Sequence, residues 1–404
     1  MNAAPLFRFT RLTWLVAILL AVPAHALRAV GEPVRIGVLQ PQPARANKLA
    51  DAGVTLAVLS VSWDRFEPVV GTPDPAYIRK LRADIAAMRH AGLEVVLDPG
   101  VQYPPAWLFD FSESRYRNQY GEMFVDAKPG MNVANSVFNA KVRILQSAYM
   151  GSLFKELGTD FSAVRLGGGW YGELNFPSAE FQDRKNCYWA FDALAQGVET
   201  GLPEGVNPCP VPGWHPGSVS PDHEDARRFL NWYLASLQNY HDWQITTVRR
   251  FYAGPLLMMY PSWGIRLGQA EAAVTADLSG DTPPEKNGEI QRGFDFARFI
   301  GGIRDPGVWV HCTWLDSNPA WSDETSADPA RWSPAHYLSS LAAKHAPPLH
   351  LSAENTGGGG SEILRLCAER SRAFGFQTIF WAFEPDLFDG KPPELTDLSP
   401  AFNP

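Results

Sequence analysis

The feature that most constrains this chain is an alternation. Eight short apolar runs, rich in β-branched and aromatic residues, are separated by stretches with helical periodicity. The runs are Val34–Leu39, Leu56–Val61, Leu93–Leu97, Phe161–Leu166, Pro255–Tyr260, Val308–His311, Leu349–Ser352 and Gln377–Phe383. Between them, Asp74-Pro75 opens a helix that runs through His90, with Gly92 just past its end. Further helices are expected at about 136–157, 222–252, 269–278, 295–300, 334–344 and 361–374. Ser220 and Pro221 supply N-cap and first-turn chemistry for the long one. Strand-helix alternation repeated eight times predicts a (β/α)8 TIM barrel of the α/β class, with loop insertions. A doubly wound open sheet would need fewer strands. The tail from Phe388 to Pro404 is Pro-rich and reads as non-helical.

In such a barrel, chemistry sits where the strands end. Acids found there are Asp64, Asp98, Glu173, Asp316, Glu354, Glu384 and Asp386. Two of them lie beside glycines. Glu173 falls in LGGGWYGELNFPS after the fourth strand, and Glu354 in AENTGGGG after the seventh. Strands four and seven face one another across an eight-stranded barrel. A facing pair of carboxyls is what glycoside hydrolysis needs: one protonates the leaving oxygen, and the other activates water or attacks the anomeric carbon. The glycines are expected to let a bulky substrate approach the backbone. Glu384 is the alternative partner, or an anchor of the barrel rim. Glu67 is expected to form a structural ion pair with an Arg.

Other chemistries lack their signatures. Gly167, Gly169 and Gly172 satisfy GxGxxG, but Pro177 removes the helix that a dinucleotide site requires. The glycines at 357–360 have no P-loop Lys, no HExxH occurs, and no GxSxG nucleophile elbow is present. No cofactor or metal is expected. Aromatic residues make up 12% of the chain and include 14 Trp, a supply of flat faces on which sugars stack. Candidates for contact with a sugar are Trp63, Tyr103, Trp170, Tyr171, Tyr260, Trp263 and Trp381, with Asp98 at the third strand end. A formal charge of −8 argues against nucleic acid as a partner and leaves a neutral oligo- or polysaccharide open.

The first 26 of the 404 residues read as a secretory signal. Arg8 and Arg11 precede the apolar run 12–22, and Ala24-His25-Ala26 supplies an A-x-A cleavage site. The run is shorter than the ~20 residues of a spanning helix. Residues 27–404 then form one catalytic barrel carrying a Pro/Gly-rich insertion at about 176–222, exported to the periplasm or beyond. An even count of four Cys permits disulfides in that setting. Cys187 and Cys209, which bracket the insertion, are the candidate pair; Cys312 and Cys367 read as buried thiols.

Several segments resemble the β-amylases. GELNFPS at 172–178 is similar to their G-E-L-R-Y-P-S, whose Glu is the general acid, and SAENTGG at 352–358 is similar to their A-G-E-N-A, whose Glu is the general base. HCTWLDS at 311–317 resembles their inner-loop segment, in which a Thr orients the base. Residues 229–245 resemble the helix after their insertion. This resemblance implies Glu173 as acid and Glu354 as base, with Thr313, Asp316 and Asn355 in support. Near the N-terminus, SWDRFEPVVGTPD, HAGLEVVLDPG and PPAWL look more like the barrel β-galactosidases, which also carry a Glu after strands four and seven. The loop after strand three is shorter than the β-amylase lid. Leu257 and Ser262 stand where that family has a sugar-holding Lys and His. The expected activity is therefore glycosidic hydrolysis without a defined sugar. A retaining galactosidase-like hydrolase, a transglycosylase and a non-catalytic sugar-binding barrel are the alternatives.

Overall fold

A computed structural model describes residues 33–126, 132–280 and 288–404. The signal reading at 1–26 lies outside them. Eight parallel strands close into a barrel in sequence order, with β1 hydrogen-bonded to β8. They are β1 (Arg35–Val38), β2 (Leu56–Ser60), β3 (Glu94–Asp98), β4 (Ala163–Leu166), β5 (Leu256–Tyr260), β6 (Val308–Cys312), β7 (Leu351–Glu354) and β8 (Thr378–Trp381). Each coincides with a run anticipated above. The fold is the expected (β/α)8 barrel.

Strand side chains alternate in direction, and this divides the core in two. Leu56, Val58, Val96, Ala163, Leu257 and Phe380 point inward and fill the barrel. Ile36, Val38, Ala57, Leu59, Val95, Leu97, Val164, Met258, Val310 and Ile379 point outward and pack with the helices.

The helices follow the sequence signals closely. Pro75–His90 is capped by Asp74, whose side chain accepts from the backbone N–H of Ala76 and Tyr77. Ala140–Leu157 begins a turn later than expected, because Asn139 provides the cap by accepting from Val142 N–H. The long helix Glu224–Val248 is preceded by a separate 3-10 turn at Pro221–His223, where Asp222 and His223 adopt positive φ. His223 therefore takes the N-cap position expected of Ser220, whose Oγ instead reaches past the turn to accept from Asp225 N–H at 3.2 Å. The tail holds a helix after all, Leu395–Phe402. A capping box between Glu394 and Asp397 starts it, and Leu395, Leu398 and Phe402 are buried.

The insertion at 176–222 contains no α-helix or named strand among the described residues. It is held by aromatic packing against Glu224–Val248. Phe176 stacks on Tyr233 at 4.0 Å, Tyr188 meets Phe229 edge-on, and Trp189 donates to Ser178 O at 2.8 Å. Cys187 and Cys209 are both buried free thiols, so the expected disulfide is absent. Cys187 is fixed by Ala179 O and the Asn118 amide, and Cys209 by Ala195 O, so the loop they bracket does not bring them together. Cys312 and Cys367 are buried thiols, as anticipated. Among the described residues, no helix is long and apolar enough to cross a membrane.

The cysteine arrangement gives the first prediction. Unreduced protein unfolded in guanidinium should titrate four thiols with a disulfide-exchange reagent, and native protein should react slowly because all four are buried. Melting temperature should not change with reductant. A titre of two thiols, or a clear fall in melting temperature on reduction, would contradict the assignment.

Candidate active site

The inward positions change character toward the C-terminal ends of the strands. Below, most of them are apolar, Ser352 and Thr378 being exceptions. Above, they are Asp98 on β3, Arg165 on β4, Met259 on β5, His311 on β6 and Glu354 on β7. Each has the parity of an inward neighbour two residues earlier, such as Val96, Ala163 or Leu257. The barrel mouth is therefore lined by charged and polar groups resting on an apolar plug.

Glu354 is the centre of this lining. It is 9% exposed, and Arg165, only 4% exposed, reaches it from β4. The guanidinium Nη2 donates to Oε1 at 3.1 Å and lies 2.8 Å from Oε2. His311 Nε2 stands 3.2 Å from the same Oε2, at ion-pair range but without hydrogen-bond angles. His311 Nδ1 is 2.8 Å from Ser352 Oγ on β7. Burial alone would raise the carboxyl's pKa. Arg165, aided by His311, outweighs it and holds Glu354 below the usual carboxylate range. Burial lowers His311. A neutral imidazole fits this arrangement, with Nε2–H facing the carboxylate and Nδ1 accepting from Ser352.

Glu173 sits in the opposite environment. The loop after β4 folds back on itself before delivering it. Gly168 N–H donates to Gly172 O at 3.0 Å, and Gly169 N–H to Glu173 O at 2.7 Å. Gly168 and Gly172 have φ of 69° and 84°, which a side chain would strain. A Cβ on Gly167 would lie 2.3 Å from Gly172 O, and one on Gly169 2.5 Å from Asn175 O. These glycines therefore make room for the loop's own backbone, not for a substrate as expected. Gln244, from the long helix, bonds both Gly167 N and O at 3.1 Å and ties the loop's base to the barrel. Thr313 Oγ1 donates to Glu173 Oε1 at 2.6 Å, and Asn175 Nδ2 approaches Oε2 at 3.5 Å. Glu173 is half-buried, and desolvation of its carboxyl pushes it up to about 7, against the lowering pull of Arg292 and the Thr313 hydrogen bond.

Other anticipated residues divide into two groups. Asp98 points into the mouth, accepts from Gly100 N–H and is raised by burial against the pull of Arg165. Tyr103 is half-buried close to Asp98. Trp170 is half-buried and donates to Asp126 at 2.7 Å, while Tyr171 stands 50% exposed beside it. Trp263 is buried edge-on against half-buried Trp314, which meets exposed Trp321 in turn. These residues lie at or after the C-terminal ends of β3, β4, β5 and β6.

Trp63, Tyr260 and Trp381 are corrections. Trp63 is fully buried, stacked on Tyr149 at 4.8 Å, and donates to Glu67. Glu67 thus holds that indole and Gly71 N–H instead of pairing with an Arg. Tyr260 and Trp381 have outward parity. Tyr260 bonds His241 on the surrounding helix at 2.9 Å, and Trp381 packs in the outer core beside Ile379. Asn355 and Asp316 brace loops. Asn355 bonds Ala382 in both directions, and Asp316 accepts twice from Thr356. Thr313 bonds the expected acid and not the expected base. Glu384 is buried and ion-paired with Arg45 at the rim, away from the pair.

Arg165, His311, Gln244 and Arg292 were not anticipated. A charged or imidazole side chain at an inward position of an otherwise apolar strand was the available signal for the first two. Among the described residues, no three His, Cys, Asp or Glu side chains converge as a metal site requires.

Opposed environments make a stability prediction. Native Glu173 keeps its proton up to about 7, whereas an unfolded Glu loses it near ~4.3. The native state binds more protons across that window, so its stability falls as pH rises, by at most roughly 4 kcal/mol for this group. Glu173→Gln removes the dependence. At pH 8 the variant should need more urea to unfold than wild type, and the gap should close at pH 5. A wild type equally resistant at pH 8 would refute the desolvated-acid assignment.

No family model matches the chain, and no curated protein matches it. Solved structures do. The catalytic domain of β-amylase from Paenibacillus polymyxa superposes with a TM-score of 0.64 at 16% identity, over 91% of this chain and 97% of that one. The β-galactosidase of the Antarctic haloarchaeon Halorubrum lacusprofundi gives 0.54 at 13%, over 91% of this chain and 57% of that one. The β-galactosidase of the psychrophilic Marinomonas ef1 gives 0.54 at 12%, over 90% and 58%. At such identities the likeness is one of fold. The two groups of neighbours are those that the β-amylase-like and β-galactosidase-like segments pointed to.

Proposed function

We propose that this protein hydrolyses glycosidic bonds in an oligo- or polysaccharide, with Glu173 as general acid and Glu354 as base or nucleophile. The observation that carries this reading is the opposed tuning of two carboxyls at one barrel mouth. A proton donor must keep its proton near neutral pH, and desolvation does that for Glu173. Its partner must be ionised, and Arg165 with His311 does that for Glu354. Fold likeness to a β-amylase and to β-galactosidases supports the same chemistry.

In the proposed reaction, Glu173 Oε2 transfers its proton to the glycosidic oxygen as the C–O bond breaks. Thr313 fixes the other oxygen, Oε1. Glu354 takes a proton from water attacking the anomeric carbon, or attacks that carbon itself and is then released by water. Its negative charge also favours the oxocarbenium character developing at that carbon. Trp170, Tyr103 and the pair Trp263–Trp314 offer ring faces and edges to the sugar. The reading extends to export, supported by the signal-like residues 1–26. Amino-terminal sequencing of protein recovered outside the cytoplasm should begin near Leu27.

Two measurements test the activity. On an oligosaccharide panel, Glu173→Gln and Glu354→Gln should each lower kcat by about a thousandfold or more; NMR of the first anomer released distinguishes water-mediated inversion from a covalent intermediate. Wild-type rates in either variant would remove that residue from the mechanism. Activity should fall as pH rises through about 7, where Glu173 ionises, and on the acid side only below the usual carboxylate range, where Glu354 takes up a proton. An optimum above pH 8 would contradict the acid assignment.

A further inference from the structure

Five arginines are buried among the described residues: Arg143, Arg165, Arg266, Arg292 and Arg370. Four of them donate to oxygen. Arg143 bonds Ser136 O and Val137 O, Arg165 bonds Glu354, Arg266 bonds Trp332 O, and Arg370 bonds Leu315 O and Ser317 O. The Arg292 side chain donates to no described group. Its guanidinium lies over the ring faces of Trp170, at 5.4 Å, and Phe294, at 4.8 Å. Its Nε is buried and unbonded, and the residue is 5% exposed.

The nearest carboxyls do not pair with it. Glu289 already accepts from Ser262 Oγ at 2.6 Å and Gly264 N–H at 2.8 Å. Glu173 feels Arg292 electrostatically, but they form no ion pair. The backbone around Arg292 is fixed. Its carbonyl accepts from Phe176 N–H, three residues past Glu173, and its N–H donates to Gly288 O. A rigid, buried, unbonded guanidinium is costly to leave without an anion. A planar fork of donors suits a carboxylate or sulfate.

From this geometry we infer that the sugar on the leaving-group side of the scissile bond carries an anionic substituent, a uronate carboxylate or a sulfate ester, received by Arg292. This rests on Glu173 being the acid, since the leaving sugar lies on the acid's side. The arrangement also has a chemical sense. Free Arg292 favours loss of the Glu173 proton, and an anion bound to Arg292 cancels that pull. The acid then keeps its proton when the matching substrate is in place. With a chain charge of −8, attraction for anionic glycans is local to this position.

The test compares uronic-acid oligosaccharides, their carboxyl-reduced neutral forms and sulfated neutral oligosaccharides. Wild type should prefer the uronate or the sulfated set over neutral glycans by about tenfold or more in kcat/KM; which set is preferred identifies the anion. Arg292→Gln should erase the preference, lowering kcat/KM far more on the anionic sets than on neutral glycans while moving the alkaline limb on neutral glycans upward as the pull on Glu173 is lost, and Arg292→Lys should keep part of the preference as a point charge. On the anionic substrate, the alkaline limb of kcat should lie above that of kcat/KM. Calorimetric binding of the same glycans to Glu173→Gln gives a readout without turnover. Equal or better use of neutral glycans by wild type, or an equal loss on both classes in Arg292→Gln, overturns the inference and leaves the glycosidase reading standing. Arg292-dependent binding of anionic glycans without any cleavage supports the ligand class and overturns the glycosidase reading. Absence of both binding and cleavage overturns both.

Discussion

The Arg165–Glu354 ion pair inside the barrel mouth is the interaction on which the site depends. Both partners are nearly excluded from water, and they join strands on opposite sides of the barrel. In that setting a lone charge is expensive: removing one partner of a buried pair typically costs about 3–5 kcal/mol. Arg165 therefore fixes the charge state of Glu354 and also bridges the barrel. The same strand, β4, runs on into the loop that carries Glu173. One strand thus holds one carboxyl ionised and presents the other, whose proton is kept by desolvation.

The acid's loop shows how backbone sterics serve chemistry. Close packing within 167–175 demands glycine because the loop's own carbonyls occupy the space of a Cβ. Gln244 anchors it from a helix that also holds the insertion through Phe229 and Tyr233. The insertion, the long helix and the acid are consequently one packed unit. Rigidity of this kind keeps catalytic groups near productive geometry without reorganisation during the reaction.

Much of the fold was legible because it rests on local rules. Apolar runs and helical periodicity marked all eight strands and the main helices, and Asp74 announced its helix start. The helix at Leu395–Phe402 was hidden by Pro400 and by the shortness of the segment. Part of the site was legible too. Glu173 and Glu354 stand out as acids beside glycines at strand ends. Tyr260 and Trp381 were misread although strand parity was available: counting by twos from Leu257 or Phe380 sends both outward. Trp63 was misread because aromatic residues suit a sugar and a core equally well. The Cys187–Cys209 pairing failed because sequence bracketing does not measure separation in space.

The sequence by itself determined the barrel, the order of its strands and the two carboxyls at its mouth, because periodicity and strand-end position are properties of the chain. Only the tertiary structure decided which carboxyl keeps its proton. That depends on Arg165 and His311 reaching Glu354 from β4 and β6, and on desolvation of Glu173 beyond the reach of an ion pair. Residues 43 to 189 positions distant in the chain set those environments, and no local pattern encodes where they meet.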